Sequence, residues 1–366
     1  MKILIECYTP IESPPVFTYG LAKAMLSNGV DVYASLADQI ENKSDWNQLL
    51  PPDHIFYLNS KPIRKMTIKD LKEYRRAGET FKETKFDYWF DTFPTGQSGI
   101  LAHFIEYGES IGIAHDAVPH SGTSLYRKIL FSQALKGIDN IVVLSRAYLD
   151  LAKRKYKLDD DHIYYMRHGA MEYPEKSEKS TYKDIRNINF LYFGRIDGYK
   201  GLHVLASAYK KLKEKHDDVS LTVAGNGDFT AYLSEFAALK DCDVVNRYLS
   251  DDDIAYYFNM PNVVAVLPYI DATQSGVIGV AFNYRCPVIV SDTGGMKEQL
   301  FGGEMGLLVK PGSADDLLDK MEQFVLNESL YNKQKNLMEI GCQRSTWDNC
   351  VKEFLEELKE KKQKEL

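Results

Sequence analysis

Residues 188–201 read INFLYFGRIDGYKG. Ile188 to Phe193 form a short β-rich run, and it empties into a loop bounded by Gly194 and Gly201 with a helical pattern beyond it. Strand, glycine-bounded loop and helix in that order make one βα step of a doubly wound parallel sheet, where ligands bind beyond the carboxyl ends of the strands. The glycines let the backbone approach a ligand closely, and Arg195 and Lys200 bring two positive charges to the same loop. Arginine offers a planar fork and lysine a compact point charge, so the pair suits a diphosphate; the plain alternative is a solvated basic turn.

Downstream the same alternation repeats through VSLTVAG (219–225), DCDVVN (241–246), NVVAVLPY (262–269), CPVIVSD (286–292) and GLLVKP (306–311). Upstream, residues 172–187 (EYPEKSEKSTYKDIRN) are polar and aperiodic, as a linker is. Before them lies a second series. It starts with KILIEC, a helix from Phe17 to Ser27 closed by Gly29, and VDVYASL. Further strands are expected at Asp87–Phe90, Ser110–His115, Asn140–Leu144 and His162–Arg167. Helices are expected around 67–83, 97–106, 123–137 and 146–156, the last capped by Ser145. The fold class is therefore α/β with two Rossmann-like doubly wound domains: 1–172, a linker 173–187, and 188–344. A lysine-rich helix over 345–366 is placed to pack back on the first domain.

The 366 residues suffice for two cores, and 44% hydrophobic with 27% charged residues is the composition of a globular protein. A formal charge of -7 argues against a general nucleic-acid binder. Cys7, Cys242, Cys286, Cys342 and Cys350 contain no CxxC pair and imply neither a disulfide framework nor a zinc site; Cys7 and Cys286 sit in apolar runs as buried thiols, which fits a cytoplasmic protein. The amino terminus reads as a strand rather than a signal peptide, and no apolar run reaches the roughly 20 residues of a membrane span.

At Gly194–Gly201 the chain resembles the retaining glycosyltransferases of the GT-B fold, family four (glycosyl transferases group 1). Their motif of Gly-Arg, four residues, Lys-Gly is intact here. The resemblance implies two domains facing each other across a cleft and a nucleotide-sugar donor, UDP- or GDP-linked. Arg195 and Lys200 are implied on the donor diphosphate, with no obligatory metal. The glycine pair Gly225 and Gly227 in VAGNGD resembles the family's pair at that place, although as a dinucleotide fingerprint it lacks the third glycine and the acidic residue.

PYIDATQSGVIGVAFNYRCPVIVSDTGGMKEQL (268–300) matches the family in length, helix, Pro287 and TGGMKE, but the usual pair of glutamates falls on Ala272 and Val280. Gln274 and the helix-start amides of Ser275, Gly276 and Val277 are expected to take over the sugar contacts. Glu298 is either near the nucleotide or a helix-start acid. Arg247 and Tyr248 in RYLSDDD resemble the segment beside the nucleobase. His115, ending the strand SIGIAH, resembles the family's strand-end histidine and joins Arg195 and Lys200 at the reacting end as a sugar or phosphate contact rather than a base. His168 in RHGAMEY replaces the family's usual asparagine. In TPIESPPVFTYG, Pro14 and Pro15 stand in a first loop where a glycine pair is usual, which suggests a reshaped acceptor side.

Between Lys61 and Lys85, nine basic residues face four acidic ones. That stretch is a candidate contact for an anionic membrane surface or a lipid-linked diphosphate acceptor, or else a solvated helix laced with ion pairs. The function expected is sugar transfer from a nucleotide sugar to a glycan or lipid-linked acceptor with retention, in polysaccharide or glycoconjugate synthesis. An epimerase of the same fold and a catalytically weak nucleotide-sugar-binding module stand as alternatives.

Overall fold

The computed structural model describes residues 1–11, 13–59, 61, 65–97, 99–115, 133–170, 173–177 and 187–364. The chain forms two units, one holding residues up to Gly169 together with the segment from Trp347 onward, the other Ala170–Thr346.

The first unit is a parallel sheet of β1 (Lys2–Cys7), β2 (Asp31–Ala37), β3 (Ile55–Leu58), β4 (Lys85–Asp91), β5 (Glu106–Ala114), β6 (Asn140–Val143) and β7 (Ile163–Tyr165). Its order is β3-β2-β1-β4-β5-β6-β7, so the winding reverses between β1 and β4. Apolar side chains cover both faces, as a parallel sheet requires. One face packs Phe17, Leu21 and Met25 of the helix Ser13–Ser27, and the other packs Tyr74, Ala77 and Phe81 of the helix Ile68–Phe81. The last helix, Trp347–Lys364, adds Val351, Phe354, Leu355 and Leu358 to the first of these cores, a spacing that puts all four on one helical stripe.

The second unit is a parallel sheet of β8 (Ile188–Phe193), β9 (Val219–Gly225), β10 (Cys242–Asn246), β11 (Val263–Leu267), β12 (Val288–Ser291) and β13 (Leu307–Val309). Here the order is β10-β9-β8-β11-β12-β13, with the reversal between β8 and β11. The two α/β units thus carry the doubly wound architecture expected from the sequence.

Three local expectations are corrected. Pro14 and Pro15 do not stiffen a loop, because the helix begins at Ser13 and both prolines occupy its first turn, where their missing amide hydrogens cost nothing. The helix expected around 97–106 is only a 3-10 turn, Leu101–Phe104, after Gly99 at φ +81°. The helix expected at 123–137 lies up to residue 132 outside the described residues, as do Asp116 and much of the linker. Ser145 caps as expected, its hydroxyl accepting from the Ala147 amide. All five cysteines are free thiols; burial pushes Cys7 up to about 11 and Cys286 up to about 12.

Candidate functional site

The switch point of the second sheet lies between β8 and β11, and the loops that follow these two strands meet there. The Gly194–Gly201 loop is tied down on both sides. Gly194 and Ile196 donate their amide hydrogens to Ala224 and Asn226, and the Ile270 amide donates to the Tyr199 carbonyl at 2.8 Å. The glycines are demanded by this closeness. A Cβ on Gly225 would be driven into the Gly194 carbonyl oxygen, and one on Gly201, at φ +72°, into that of Pro268. One on Gly227 would meet the Ile196 carbonyl. Gly194 itself sits at φ +128°, a conformation that side chains rarely adopt.

Both cations of the loop rest on tyrosines. Arg195 is exposed, its Nη2 donating to the Tyr199 hydroxyl at 3.2 Å with Asp197 3.9 Å from its Nε. Lys200 Nζ lies 3.8 Å from the Tyr269 ring centroid and 5.0 Å from that of Tyr199. Such contacts hold an ammonium without neutralising it, so its charge stays available to an anion. Beneath them Tyr192 is buried and donates its hydroxyl to the Arg195 carbonyl at 2.8 Å. Burial pushes the Tyr192 phenol well up, so that hydroxyl keeps its proton.

The turn after β11 is built around Ser275, the N-cap of the helix Gly276–Asn283. Contrary to expectation, two of the three amides there are already used. Ser275 N–H donates to Gln299 Oε1 at 2.8 Å and Val277 N–H to the Ser275 hydroxyl at 3.3 Å, leaving the Gly276 amide as the donor without a partner among the described residues. Gln274 is half-buried, and its Oε1 is buried with no hydrogen-bond partner among the described residues. Ala272 and Val280, where glutamates were expected by resemblance, are buried in the apolar core.

Other expected residues fall differently. Arg247 follows β10, but its guanidinium grips Asp253 with two bonds of 2.7 Å, and Asp253 in turn forms a capping box with Ser250. Arg247 therefore holds a helix start, whereas Tyr248 beside it is 81% exposed and open to a ligand. Glu298 is half-buried in the first turn of the short helix Met296–Gln299. His115 belongs to the first unit, where its Nε2 lies 2.8 Å from the Thr92 carbonyl oxygen and its ring stacks on Phe93 with centroids 3.7 Å apart. His168 is half-buried against Phe17 and Trp347, and desolvation lowers its pKa. Within the second unit, then, the carboxyl ends of β8, β9 and β11 bring together Gly194, Arg195, Lys200, Gly225, Gly227 and the Gln274–Val277 turn.

Two residues of this site carry no signal in the sequence. Asn246 holds Gly227 with a pair of bonds, accepting from its amide at 3.2 Å and donating to its carbonyl at 3.0 Å. Gln299 holds Ser275 in the same way, at 2.8 and 3.1 Å.

Two doubly wound parallel-sheet units, one of them carrying a glycine-lined loop with two cations at its switch point, have the architecture of the GT-B fold. Residues 174–341, within the second unit, match the family described as glycosyl transferases group 1. Among curated relatives, the capsular polysaccharide biosynthesis glycosyltransferase CapM of Staphylococcus aureus is 29% identical over 158 residues, covering 42% of this chain and 41% of its own. The putative glycosyltransferase YtcC of Bacillus subtilis is 22% identical over 380 residues, covering 92% of this chain and 88% of its own. The chain spans less than half the length of the first curated relatives that it matches. Among solved structures, Anabaena HepE, in complex with UDP and glucose, superposes with a TM-score of 0.72 at 14% identity, covering 98% of this chain and all of that one. That likeness establishes the shared fold.

Proposed function

We propose that the chain transfers a sugar from a nucleotide-sugar donor to a glycan or lipid-linked acceptor, with retention at the anomeric carbon. The observation that carries this reading is the Gly194–Gly201 loop: backbone packing too close for side chains at Gly201, Gly225 and Gly227 fixes its course at a strand end, and Arg195 and Lys200 hold charge on it. As the glycosidic bond breaks, negative charge grows on the departing diphosphate, and two fixed cations stabilise that charge more than the ground state. Gln274 Oε1 accepts from a sugar hydroxyl, the Gly276 amide donates to one, and Tyr248 lies against the base. Gly194, Gly225 and Gly227 give the backbone its close approach, and Glu298 stands near the nucleotide.

HepE holds UDP and glucose and CapM acts in capsular polysaccharide synthesis, which supports a UDP-sugar and a polysaccharide or glycoconjugate product. The helix Ile68–Phe81 presents Lys69, Lys72, Arg75 and Arg76 with exposed Ile68 and Leu71, which suits a peripheral contact with an anionic membrane on the side where nucleotide sugars are made. The deciding experiment incubates the protein with UDP-, GDP- and ADP-sugars and a panel of glycan and lipid-linked acceptors, and reads the anomeric configuration of the product by NMR. Retention is expected. An inverted product overturns the mechanism, and tight donor binding without turnover on any acceptor would favour the binding-module alternative, to which the missing carboxylates at Ala272 and Val280 lend weight.

A further inference from the structure

The turn expected to meet the sugar is itself held in place by side chains from two other segments. Ser275 is 4% exposed and gripped from two directions. From one side the Gln299 amide takes both of its backbone groups, accepting from Ser275 N–H and donating to Ser275 C=O. From the other, the Tyr269 hydroxyl meets the Ser275 hydroxyl at 3.2 Å, while the same tyrosine's ring lies under Lys200. A second tie runs alongside, from Gly295 N–H to the Thr273 carbonyl at 2.8 Å, just before the short helix that carries Gln299. Flanking Ser275 are two polar groups without a partner among the described residues: Gln274 Oε1, which is buried, and the amide of the exposed Gly276.

We infer that Gln299 is a positioning residue for the donor sugar, clamping Ser275 so that Gln274 Oε1 and the Gly276 amide meet sugar hydroxyls as a fixed acceptor and donor pair. The inference rests on the nucleotide-sugar reading above and adds to it a division of labour. The Gly194–Gly201 loop holds the diphosphate, whereas the Gln299 clamp governs only the extra affinity that the sugar confers over the bare nucleoside diphosphate. A side-chain amide bonded to both backbone groups of one residue fixes its peptide orientation, and an unfixed turn must order itself on every binding event.

The test compares wild type with Gln299→Met, which keeps volume and loses both bonds, and Gln299→Glu, which keeps an acceptor for Ser275 N–H but sets an oxygen against its carbonyl. Titration calorimetry measures the affinity of UDP, GDP and ADP and of their glucose, galactose, mannose and N-acetylglucosamine conjugates. The wild type should prefer at least one nucleotide sugar to its bare diphosphate. Gln299→Met should bind that diphosphate as wild type does and lose about tenfold in the sugar's added affinity, the worth of two hydrogen bonds of about 0.7 kcal/mol each. Gln299→Glu should lose the preference also. Turnover should fall in kcat as well as rise in KM, because the sugar is misplaced relative to the acceptor. Unchanged sugar preference in both variants, or equal weakening of diphosphate and nucleotide sugar, overturns the clamp and leaves the donor reading intact. Failure of wild type to bind any of these nucleotides overturns the donor reading itself.

Discussion

Replacing Gly225 with alanine tests the closeness of the loops on which the site depends. Gly225 ends β9, and its Cα faces the Gly194 carbonyl of the neighbouring strand end so closely that a Cβ would lie far inside 3.0 Å of that oxygen. The obstacle is backbone, so no side-chain rotation relieves it. Opening the gap to ordinary van der Waals contact moves the Gly194 carbonyl by roughly 1.5 Å. Arg195, bonded to Gly194, moves with it and strains the bonds that hold its carbonyl to Tyr192 and the Ile196 amide to Asn226. Overpacking of this kind costs about 1–3 kcal/mol of stability, and a reacting group displaced by roughly 1 Å loses about a hundredfold in rate. The control is Gly198→Ala in the same loop, where nothing lies within 4 Å of the new methyl and φ is not positive. Donor turnover and chemical denaturation should both separate the two variants, Gly198→Ala behaving as wild type and Gly225→Ala losing about two orders of magnitude in kcat/KM. Equal behaviour would refute the reasoning.

Further predictions concern charge. Glu6 and Asp91 stand opposite each other in register on β1 and β4, each 1% exposed, and Trp89 donates its indole hydrogen to Glu6. Burial and then the neighbouring carboxylate raise the Glu6 pKa well above its ordinary value of 4.5. A raised folded pKa means that stability is fully present below about pH 4.5 and is lost as pH climbs toward the folded value. Glu6→Gln should therefore match wild type near pH 4.5 and exceed it above. The gap should grow by about 1.4 kcal/mol for each pH unit over which Glu6 is protonated folded and ionised unfolded; equal melting from pH 5 to 8 would contradict this. Arg247→Ala should lower the melting temperature, because the buried Asp253 loses its paired cation. It should barely alter nucleotide affinity; a large loss of binding with unchanged melting would restore Arg247 to the base site. Charge reversal at Arg75 and Arg76 should abolish sedimentation with vesicles containing anionic phosphatidylglycerol, and unaltered binding would dismiss the membrane contact.

The elements read most faithfully from the sequence are those in which one local signal suffices. INFLYF is β8, KILIEC is β1 and VSLTVAG is β9, residue for residue, because uninterrupted apolar runs in parallel sheets are bounded by turn residues. Ser145 announced the turn that it caps, and the helix expected to start near Ser275 begins at Gly276. The elements that escaped notice lack such a signal. β3 is four residues long, and the helix Lys43–Leu49 buries only Trp46 in an otherwise polar run. In the site, the cradle was readable because glycines and cations share one loop. Its supports were not: Gln299 reaches 24 residues back to Ser275, and Asn246 reaches 19 residues to Gly227. No spacing encodes such contacts, which exist only once the strands are paired. The pairing of Arg247 was hidden for a related reason, its partner Asp253 being recognisable only as the far half of the Ser250 capping box.

The central claim is that Arg195 and Lys200 hold a diphosphate. The direct measurement is calorimetric titration of the preferred nucleoside and its diphosphate into wild type and into Arg195→Ala/Lys200→Ala. Wild type should bind the diphosphate at least a hundredfold more tightly than the nucleoside, each charge-assisted contact contributing about 1.5–3 kcal/mol, and the double variant should bind the two nearly alike. An undiminished preference for the diphosphate in the double variant would contradict the account.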